Sequence, residues 1–282
     1  MQVCQRVVDL RQRLDSERAA GKRIAFVPTM GNLHEGHLQL IRLARQHADI
    51  VVASIFVNPL QFGLNEDWEQ YPRTLERDSD MLIGAGCDLL FCPTDREMYP
   101  NGMETQTKVE VPTMTHILCG ASRPGHFLGV TTVVAKLFNM VQPHVAVFGI
   151  KDYQQLAVIR RMVEDLCFPV ELMAAPIARA DDGLALSSRN GYLTADERKR
   201  AVALYQNLSL AQAAIRDGRR DYTAIEKEAQ SRLAECGMRP DYFSVRHAKT
   251  LEPATAEDQE LVLLAAVYLG KTRLIDNLSV QI

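Results

Sequence analysis

The sequence predicts an α/β fold in which a Rossmann-like, doubly wound parallel sheet is followed by a smaller C-terminal α+β domain. Short apolar runs bounded by turn residues recur through the first two thirds of the chain and are typical of buried strands. Segments of helical periodicity separate them, as crossover connections between parallel strands require. In the last third, two helices precede three strand-like runs. We therefore expect one domain over residues 1–177 and a second over residues 178–282.

The predicted strands and helices of the first domain alternate along the chain. The apolar runs predict strands at residues 24–27, 50–57, 88–91, 145–149 and 170–174. The helical segments are predicted at residues 36–47, 74–85, 130–141 and 153–166. In an open sheet of this kind, the ligand crevice lies beyond the carboxyl ends of the strands. The loops that follow the strands are therefore the expected place for functional side chains.

The second domain begins with a charged loop that contains two adjacent serines. Its predicted helices cover residues 195–217 and 222–236. Its predicted strands cover residues 241–246, 261–268 and 273–280. Because the helices come first and the strands after them, an α+β arrangement is indicated. We expect this domain to act as a movable lid that contributes the loop around Ser187 to the site.

Composition and charge limit the classes of protein that are compatible with the sequence. The 282 residues include 35 acidic and 32 basic side chains, giving a net charge of -3. This balance offers little attraction for a nucleic acid. The N-terminal segment lacks the apolar core of a signal peptide, and no later stretch has eighteen apolar residues, so we expect a cytoplasmic protein without a membrane partner. The six cysteines show no zinc-site spacing, and we expect them to be reduced packing residues.

The strongest local signal is the segment PTMGNLHEGH at residues 28–37, between a predicted strand and a predicted helix. A helix N-terminus attracts phosphate, and Gly31 and Gly36 would let a phosphate approach the backbone. His34 and His37 are three residues apart, so they share a helix face and can stabilise charge on an α-phosphate. The same pair is compatible with metal binding or with capping and packing of the helix. Neither a Walker loop nor a dinucleotide fingerprint occurs in the sequence, so a nucleotide must be held in another way.

Two glutamines lie beside predicted sheet ends. Gln61 follows the strand at residues 50–57, and Gln155 lies in the first turn of the helix at residues 153–166. A side-chain amide can both donate to and accept from a hydroxy acid without requiring its deprotonation. Capping of a strand or helix is the alternative for each glutamine.

Two further groups have the chemistry of a nucleotide site. Lys151 and Asp152 follow the strand at residues 145–149, where a lysine can neutralise phosphate oxygens and a carboxylate can accept from ribose hydroxyls. Ser187, Ser188 and Arg189 supply two hydroxyls and a planar guanidinium, which suit the β- and γ-phosphates of a nucleotide. The serines are alternatively an N-cap, although they precede the next predicted helix by several residues.

Two other clusters leave both a functional and a structural interpretation open. Arg123 and His126 stand in a loop with Pro124 and Gly125, which is compatible with a lid over the site or with a surface turn. The acidic residues near Asp78 in the helix at residues 74–85 are compatible with a Mg²⁺ site or with a solvated helix face.

Residues 28–37 resemble the H-x-G-H signature of the nucleotidylyltransferase superfamily, whose members attack the α-phosphate of a nucleoside triphosphate and expel pyrophosphate. Further blocks resemble the pantothenate synthetase family, in that family's order. The resemblance covers residues 26–277 and is weakest over residues 195–260. The blocks are VNPLQF (57–62), Glu66-Asp67, YPR (71–73), RPGHF (123–127), GV (129–130), KLFN (136–139), FGIKDYQQ (148–155) and SSRN (187–190).

The resemblance implies a ligase that uses ATP and Mg²⁺ to join pantoate and β-alanine through a pantoyl adenylate, and that forms a homodimer. It implies catalytic roles for His34, His37, Lys151 and Arg189, substrate binding by Gln61 and Gln155, and a metal-binding role for Asp78. The implied ATP-binding residues are Met30, Gly31, Asn32, Leu33, His34, Glu35, Gly36, His37, Gly149, Ile150, Lys151, Asp152, Ala178, Leu186, Ser187, Ser188 and Arg189. The family often has Glu at the position of Ile150 and Met at that of Leu186, and Arg77 stands where some relatives carry an acidic residue.

Three other functions remain compatible with parts of the sequence. A mononucleotide adenylyltransferase would use the same signature with a phosphate as the attacking group. Class I aminoacyl-tRNA synthetases share the H-x-G-H motif, but the short chain and its acidic balance disfavour tRNA binding. An ATP-sensing module would bind the nucleotide without turnover, which the presence of His34, His37, Lys151 and Arg189 disfavours.

Overall fold

The computed structural model describes residues 1–63 and 68–282. The chain divides into two compact units. The first consists of Met1–Ile150 and Val158–Pro176, and the second of Lys151–Ala157 and Ile177–Ile282. Glu66 and Asp67, which form one of the blocks of family resemblance, lie outside the described residues.

The first unit is built on a parallel sheet of six strands. The strand order is β1-β4-β3-β2-β5-β6, and every pairing between these strands is parallel. The five strands predicted in this region are confirmed, and β1 is an additional edge strand. The strands are β1 (Gln2–Cys4), β2 (Ile24–Thr29), β3 (Ile50–Ile55), β4 (Leu89–Phe91), β5 (Val145–Gly149) and β6 (Glu171–Ala175).

Helices connect these strands in the alternation that the sequence predicts. Four of the helices are the predicted ones, with α7 beginning four residues earlier than expected, while α1 and three short helices are additional. The helices are α1 (Val7–Ala19), α2 (Glu35–His47), α3 (Leu75–Ala85), α4 (Asp95–Met98), α5 (Pro112–Thr115), α6 (Cys119–Ser122), α7 (His126–Val141) and α8 (Tyr153–Asp165).

The central strand β2 shows why helices cover both faces of the sheet. Ala25 and Val27 point to one face, where they share a buried cluster with Ile41 of α2. Phe26 points to the other face and meets Phe138 of α7 edge to face, with ring centroids 6.5 Å apart. β2 is therefore apolar on both faces, as a central strand of a doubly wound parallel sheet requires.

The strand order reverses at β2, which pairs with β3 on one side and with β5 on the other. At such a switch point the loops that leave the two central strands run in opposite directions and open a crevice. Residues 30–34 follow β2, and Gly149 ends β5. The topology of the first unit therefore brings the motif of residues 28–37 to the expected ligand edge.

The second unit pairs an antiparallel sheet with helices. Its strands are β7 (Arg239–His247), β8 (Glu260–Leu269) and β9 (Thr272–Gln281), in the order β7-β8-β9. Its helices are α9 (Ala195–Ala201), α10 (Ala203–Arg216) and α11 (Tyr222–Glu235). The single helix predicted over residues 195–217 is thus two helices that meet at Val202. A buried cluster that includes Leu208, Leu233 and Leu263 joins α10 and α11 to the sheet.

The fold class predicted from the sequence is confirmed. Among residues 1–63 and 68–282, no helix combines the length and apolar character needed to cross a membrane.

Candidate active site

The loop after β2 leaves the sheet through two consecutive left-handed residues. Thr29 anchors its start, since its hydroxyl donates to the carbonyl of Ser54 at 2.7 Å and accepts from the amide of Gly31 at 3.2 Å. Gly31 has φ +80° and Asn32 has φ +50°. Glycine adopts this region without steric cost, and asparagine is among the side chains that tolerate it best. This turn carries the chain from the strand end to the start of α2.

His34 and His37 shape the N-terminus of α2 and present a second ring nitrogen each. His34 is the N-cap, and its Nδ1 accepts from the amide of Gly36 at 3.1 Å. Nδ1 of His37 in turn accepts from the amide of His34 at 3.3 Å. When Nδ1 accepts, a neutral imidazole carries its proton on Nε2, which is then a donor. The ring centroids are 4.1 Å apart, so two such donors lie together at a helix N-terminus.

Capping of α2, which was one alternative role for the two histidines, is therefore one of their roles. Capping engages only Nδ1 of each ring, so it does not exclude a role for Nε2. Metal binding by three or more side chains is not supported, since no group of three His, Cys, Asp or Glu residues suited to a metal occurs in the described part of the chain.

Asp78 contacts the loop and not a neighbouring acidic group. It is fully buried at 0% exposure in the first turn of α3. Its carboxylate accepts from the amides of Asn32 at 2.7 Å and Leu33 at 2.9 Å, and from the hydroxyl of Thr74 at 3.0 Å. Both oxygens thus accept hydrogen bonds that hold the loop and the start of α3, and the role of Asp78 as a Mg²⁺ ligand stays a prediction. The same bonds occupy two amides that the glycine-containing loop would otherwise offer to a phosphate.

Gln61 lies at the end of β3 in a short turn, Pro59–Gln61, and is 8% exposed. Its Nε2 donates to the thioether of Met30 at 2.8 Å, which joins the ends of β2 and β3. Its Oε1 accepts from Nδ2 of Asn58 at 3.3 Å. The hydroxyl of Tyr99 donates to Oδ1 of Asn58 at 2.6 Å, and burial raises the pKa of Tyr99. The amide of Gln61 is therefore held by a buried chain of hydrogen bonds.

Sequence reasoning assigned no role to Asn58 or Tyr99. Asn58 precedes a proline at a strand end, a position that indicates a turn but not a support for the next glutamine. Tyr99 lies 41 residues away from Asn58 in the chain. Only the fold brings it to the site.

Arg123 and His126 fix the same turn from the other side. Nδ1 of His126 donates to the carbonyl of Gln61 at 2.7 Å, and the Arg123 guanidinium lies 3.0 Å from its Nε2. Gly129 allows the close approach of α7, because a Cβ there would lie 2.2 Å from the carbonyl oxygen of Leu60. These contacts make His126 a structural support of the turn that carries Gln61.

Lys151 is the first residue of the second unit, whose segment Lys151–Ala157 lies in the chain between two segments of the first unit. It lies in a short turn, Ile150–Asp152, that leads into α8. Within the second unit, Nδ2 of Asn277 in β9 donates to the carbonyl of Lys151 at 2.9 Å. The hydroxyl of Tyr153 donates to the carbonyl of Ala248 at 2.9 Å. The backbone that carries Lys151 and Gln155 is thus tied to the small sheet.

The serine loop extends from a short hairpin in which Arg179 and Ala185 pair as antiparallel neighbours. Arg179 forms two bonds to Asp276 of β9, at 2.7 and 2.9 Å, and its guanidinium lies 4.0 Å from the centre of the Tyr205 ring. The amide of Leu186 donates to the carbonyl of Ala178 at 2.8 Å. Two adjacent residues of β9, Asp276 and Asn277, therefore hold the hairpin and Lys151 respectively.

The two serines do not cap the helix that follows. Thr194 caps α9 together with Glu197. Ser187 caps the short turn Ser188–Tyr192, and its Oγ accepts from the amide of Arg189 at 3.3 Å. The loop is therefore an ordered turn that presents Ser188 and Arg189.

The predicted site residues fall in both units. His34, His37, Gln61, Asp78 and Gly149 belong to the first, and the loop contacts within it bring Met30 to Gln61 and Asn32 to Asp78. Lys151, Asp152, Gln155 and residues 178–189 belong to the second, where β9 holds two of their segments. Sequence reasoning missed Asp276 and Asn277, which are adjacent buried polar residues of β9.

Known proteins that are similar to this chain belong to one family. The family model described as pantoate-beta-alanine ligase matches residues 2–279. A pantothenate synthetase of Saccharophagus degradans is 59% identical over 282 residues, covering 100% of this chain and 99% of the relative. One of Pseudomonas putida is 60% identical over 282 residues, covering 100% and 98%.

Solved structures give the same result. The crystal structure of a pantothenate synthetase from Thermus thermophilus aligns with a TM-score of 0.91 at 47% identity, covering 99% of each chain. That of a pantoate-beta-alanine ligase from Francisella tularensis, complexed with beta-gamma ATP and beta-alanine, aligns with a TM-score of 0.82 at 33% identity, covering 99% of this chain and 97% of that one. The chain therefore belongs to the pantoate–β-alanine ligase family.

Proposed function

We propose that this chain condenses (R)-pantoate with β-alanine, converting ATP to AMP and pyrophosphate and releasing pantothenate. The observation that carries the proposal is the pair of Nε2 donors of His34 and His37 at the N-terminus of α2, beside the switch point of the sheet. Family membership and the Francisella tularensis complex with an ATP analogue and β-alanine support it.

In the first step, a carboxylate oxygen of pantoate attacks the α-phosphorus of ATP. The bond from that phosphorus to the bridging oxygen breaks, and pyrophosphate leaves with the electron pair. Negative charge grows on the phosphate oxygens, so donors and cations placed there stabilise the transition state. His34 and His37 supply donors to the α-phosphate, and Lys151 and Arg189 neutralise the departing phosphates.

In the second step, the amine of β-alanine attacks the carbonyl carbon of pantoyl adenylate. The bond from this carbon to the phosphate oxygen breaks, AMP leaves, and the nitrogen loses a proton as the amide forms. A base must accept the proton of an amine that is charged in water. His37 is the base we propose, because its imidazole stands at the same helix start. To accept the proton, its ring must adopt the tautomer whose Nε2 is unprotonated, which breaks the bond from the amide of His34 to Nδ1.

The residues predicted from the sequence also bind the substrates. Gln61, held by Asn58 and Met30, and Gln155 bind pantoate and β-alanine through their amides. ATP is bound by residues 30–37, 149–152, 178 and 186–189, with the second unit acting as the lid that carries the serine loop.

Mg²⁺ enters this scheme as part of the substrate. The oxygens of Asp78 are already engaged, and the described residues provide no carboxylate cluster for a resident ion. Mg²⁺ keeps most of its water and is readily held by phosphate oxygens alone. We propose that Mg²⁺ arrives with the phosphates of ATP and leaves with pyrophosphate. We also propose that the protein is a cytoplasmic homodimer.

The test is AMP formation by purified protein with Mg²⁺-ATP and pantoate, with and without β-alanine. The proposal expects AMP only when both pantoate and β-alanine are present, and near loss of turnover in His37→Ala and Lys151→Ala. Pyrophosphate release that needs a phosphate-bearing acceptor and yields no AMP would establish an adenylyltransferase instead. Binding of ATP with no turnover for any acid and amine pair would establish a sensor.

A further inference from the structure

A buried carboxylate occupies the concave side of the loop that precedes His34. The consecutive left-handed residues Gly31 and Asn32 turn successive amides toward one side, a geometry that forms a small anion site. Here the anion belongs to the protein, because the Asp78 carboxylate accepts from the amides of Asn32 and Leu33. The loop conformation and Asp78 therefore stabilise each other, since the left-handed Asn32 is uncommon without such support.

The neighbouring Arg77 binds the acceptors of the same loop. Its guanidinium donates to Oδ1 of Asn32 at 3.0 Å and to the carbonyl of Leu33 at 3.0 Å. It also lies 3.5 Å from Oδ1 of Asp78, which offsets the burial of that charge. Two adjacent residues of α3 thus engage both the donors and the acceptors of two adjacent loop residues.

Packing holds this loop at Leu33, which is 3% exposed and belongs to a buried cluster, but another part of the loop lies beside open space. The loop borders a cavity of about 360 Å³ whose lining includes Met30, Gly31, Thr74 and Asp78. Gly31 lies close to Ile55, because a Cβ added to Gly31 would lie 3.0 Å from the Ile55 side chain. Because one side of the loop faces open space, its position depends strongly on the hydrogen bonds from α3.

The position of the loop sets the position of the histidines. Leu33 is covalently followed by His34, whose amide bonds His37 and whose ring caps α2. A shift of Leu33 therefore moves both Nε2 donors relative to the strand ends. Displacement of a catalytic group by about 1 Å can lower a rate roughly 100-fold.

We propose that Asp78 and Arg77 are positioning residues for adenylate formation, which hold the loop at residues 31–33 and through it His34 and His37. Asp78 acts through the backbone and not as a metal ligand. This inference rests on the proposed function, because its effect is measured on the adenylation step.

The test compares Asp78→Asn and Arg77→Leu with a matched control, Glu17→Gln. In Asp78→Asn one oxygen is replaced by an amide nitrogen that faces a backbone donor. Glu17 is likewise a buried carboxylate, 5% exposed and paired with Lys22 at 2.7 Å, but it lies in α1 away from the loop. Glu17→Gln therefore controls for the loss of a buried charge.

The inference expects kcat to fall roughly 100-fold in Asp78→Asn and roughly 10-fold in Arg77→Leu, with the KM for pantoate unchanged in both. Arg77→Lys should recover part of the loss, because an ammonium can bond one of the two loop oxygens. Glu17→Gln should keep the wild-type kcat. Since the side chain of Arg77 is 54% exposed, Arg77→Leu should fold even if Asp78→Asn does not.

Two further readouts separate positioning from other roles. The imidazole nitrogen spectrum should report the Nε2–H form for His34 and His37 in the wild type, and an altered form in Arg77→Leu and Asp78→Asn. A titration with Mg²⁺ should give the same half-saturating concentration in the wild type and both variants.

Each other outcome has a defined meaning. Wild-type kcat in a folded Asp78→Asn, or in Arg77→Leu, would overturn the inference. Recovery of activity by excess Mg²⁺ would overturn it in favour of metal binding. A wild-type protein that forms no AMP would instead refute the proposed function, and the imidazole spectra would still test the positioning contacts.

Discussion

At the scale of single residues, His34 combines its structural role as a helix cap with the proposed catalytic role in one ring. Nδ1 caps α2, and a neutral ring then carries its proton on Nε2. The two roles can be separated by substitution because they use different atoms. An asparagine side chain can accept at the position of Nδ1, but it cannot reach that of Nε2.

We expect His34→Asn and His34→Ala to be equally inactive and unequally stable. Both lose the Nε2 donor, so kcat should fall about 100-fold or more. Only His34→Ala loses the cap, and its free energy of unfolding should be lower by about 1 kcal/mol. Steady-state AMP formation and urea unfolding measure the two effects. Wild-type turnover in His34→Asn would show that the ring acts only as a cap.

The residue scale also shows where sequence reasoning stopped. His34, His37 and Gln61 were found because they follow strand ends, and the structure places them there. Asp78 looked like one acidic group of a helix face, because its hydrogen-bond partners lie 45 and 46 residues away in the chain. Asn58 and Asp276 were missed for the same reason, since a buried polar residue has no local pattern that names its partner.

At the scale of elements, Gly129 determines how closely α7 approaches the turn that carries Gln61. An added Cβ would lie 2.2 Å from the carbonyl oxygen of Leu60, inside van der Waals contact. The neighbouring atoms belong to the backbone, so they cannot move aside without moving the turn. Because Gly129 has no side chain, α7 can lie directly against the turn that carries Gln61.

Gly129→Ala should therefore lower stability by about 1–3 kcal/mol and raise the KM for pantoate. Gly84→Ala in α3 is the matched control, because an added Cβ there meets nothing within 4 Å. That control should gain up to about 1 kcal/mol from helix propensity and leave the KM unchanged. Thermal unfolding and initial rates at varied pantoate concentration would distinguish the two. An unchanged KM for pantoate in Gly129→Ala would show that the position of α7 does not affect substrate binding.

Strand β9 connects its own sheet to two segments with predicted site residues. Asp276 holds Arg179 of the hairpin, whereas Asp241 of β7 pairs with Arg273 of β9 at 2.7 Å. Both are aspartate–arginine pairs with little exposure. The two pairs can therefore be compared by replacing the aspartate of each.

We expect Asp276→Asn and Asp241→Asn both to destabilise the chain, with the former losing on the order of 3 kcal/mol. Only Asp276→Asn should also raise the KM for ATP, because the hairpin leads into the loop at residues 186–189. Calorimetry and ATP-dependent kinetics at a temperature where both variants are folded would measure this. Equal KM values for ATP would show that the hairpin does not control the loop.

Element boundaries show what the sequence pattern could and could not predict. Strands such as β2 and β8 were predicted because they are long and apolar. Strand β1 was missed because three residues, Gln2–Cys4, carry too little periodicity. The break at Val202 was also missed, since Val202 itself has helical angles, φ -60° and ψ -28°, and no glycine or proline marks it.

At the scale of the whole molecule, two buried thiols link stability to alkaline pH. Burial raises the pKa of Cys87 to about 12 and that of Cys92 to about 11. In an unfolded chain a thiol has a pKa of about 8.5. The folded state therefore keeps protons that the unfolded state releases, and stability falls as the pH rises from about 8.5 toward these folded pKa values.

We expect the free energy of unfolding to be lower at about pH 10 than at about pH 8, and this loss to be smaller in Cys87→Ala. Cys167→Ala is the comparison, because Cys167 is exposed and its removal should leave the pH dependence as in the wild type. Chemical denaturation at the two pH values measures how the free energy of unfolding changes with pH. An equal change in Cys87→Ala and in the wild type would rule out Cys87 as a source of the pH dependence.

The strand order of the parallel sheet has a consequence for how the chain is made. The central strand β2 pairs with β5 through Ala25↔Val145, partners that are 120 residues apart. Until β5 has been synthesised, a growing chain exposes one apolar edge of β2, and such edges promote association with other chains. Pairings this distant also fold slowly. Nascent fragments that end before β5 are therefore the forms of this protein that most need a chaperone.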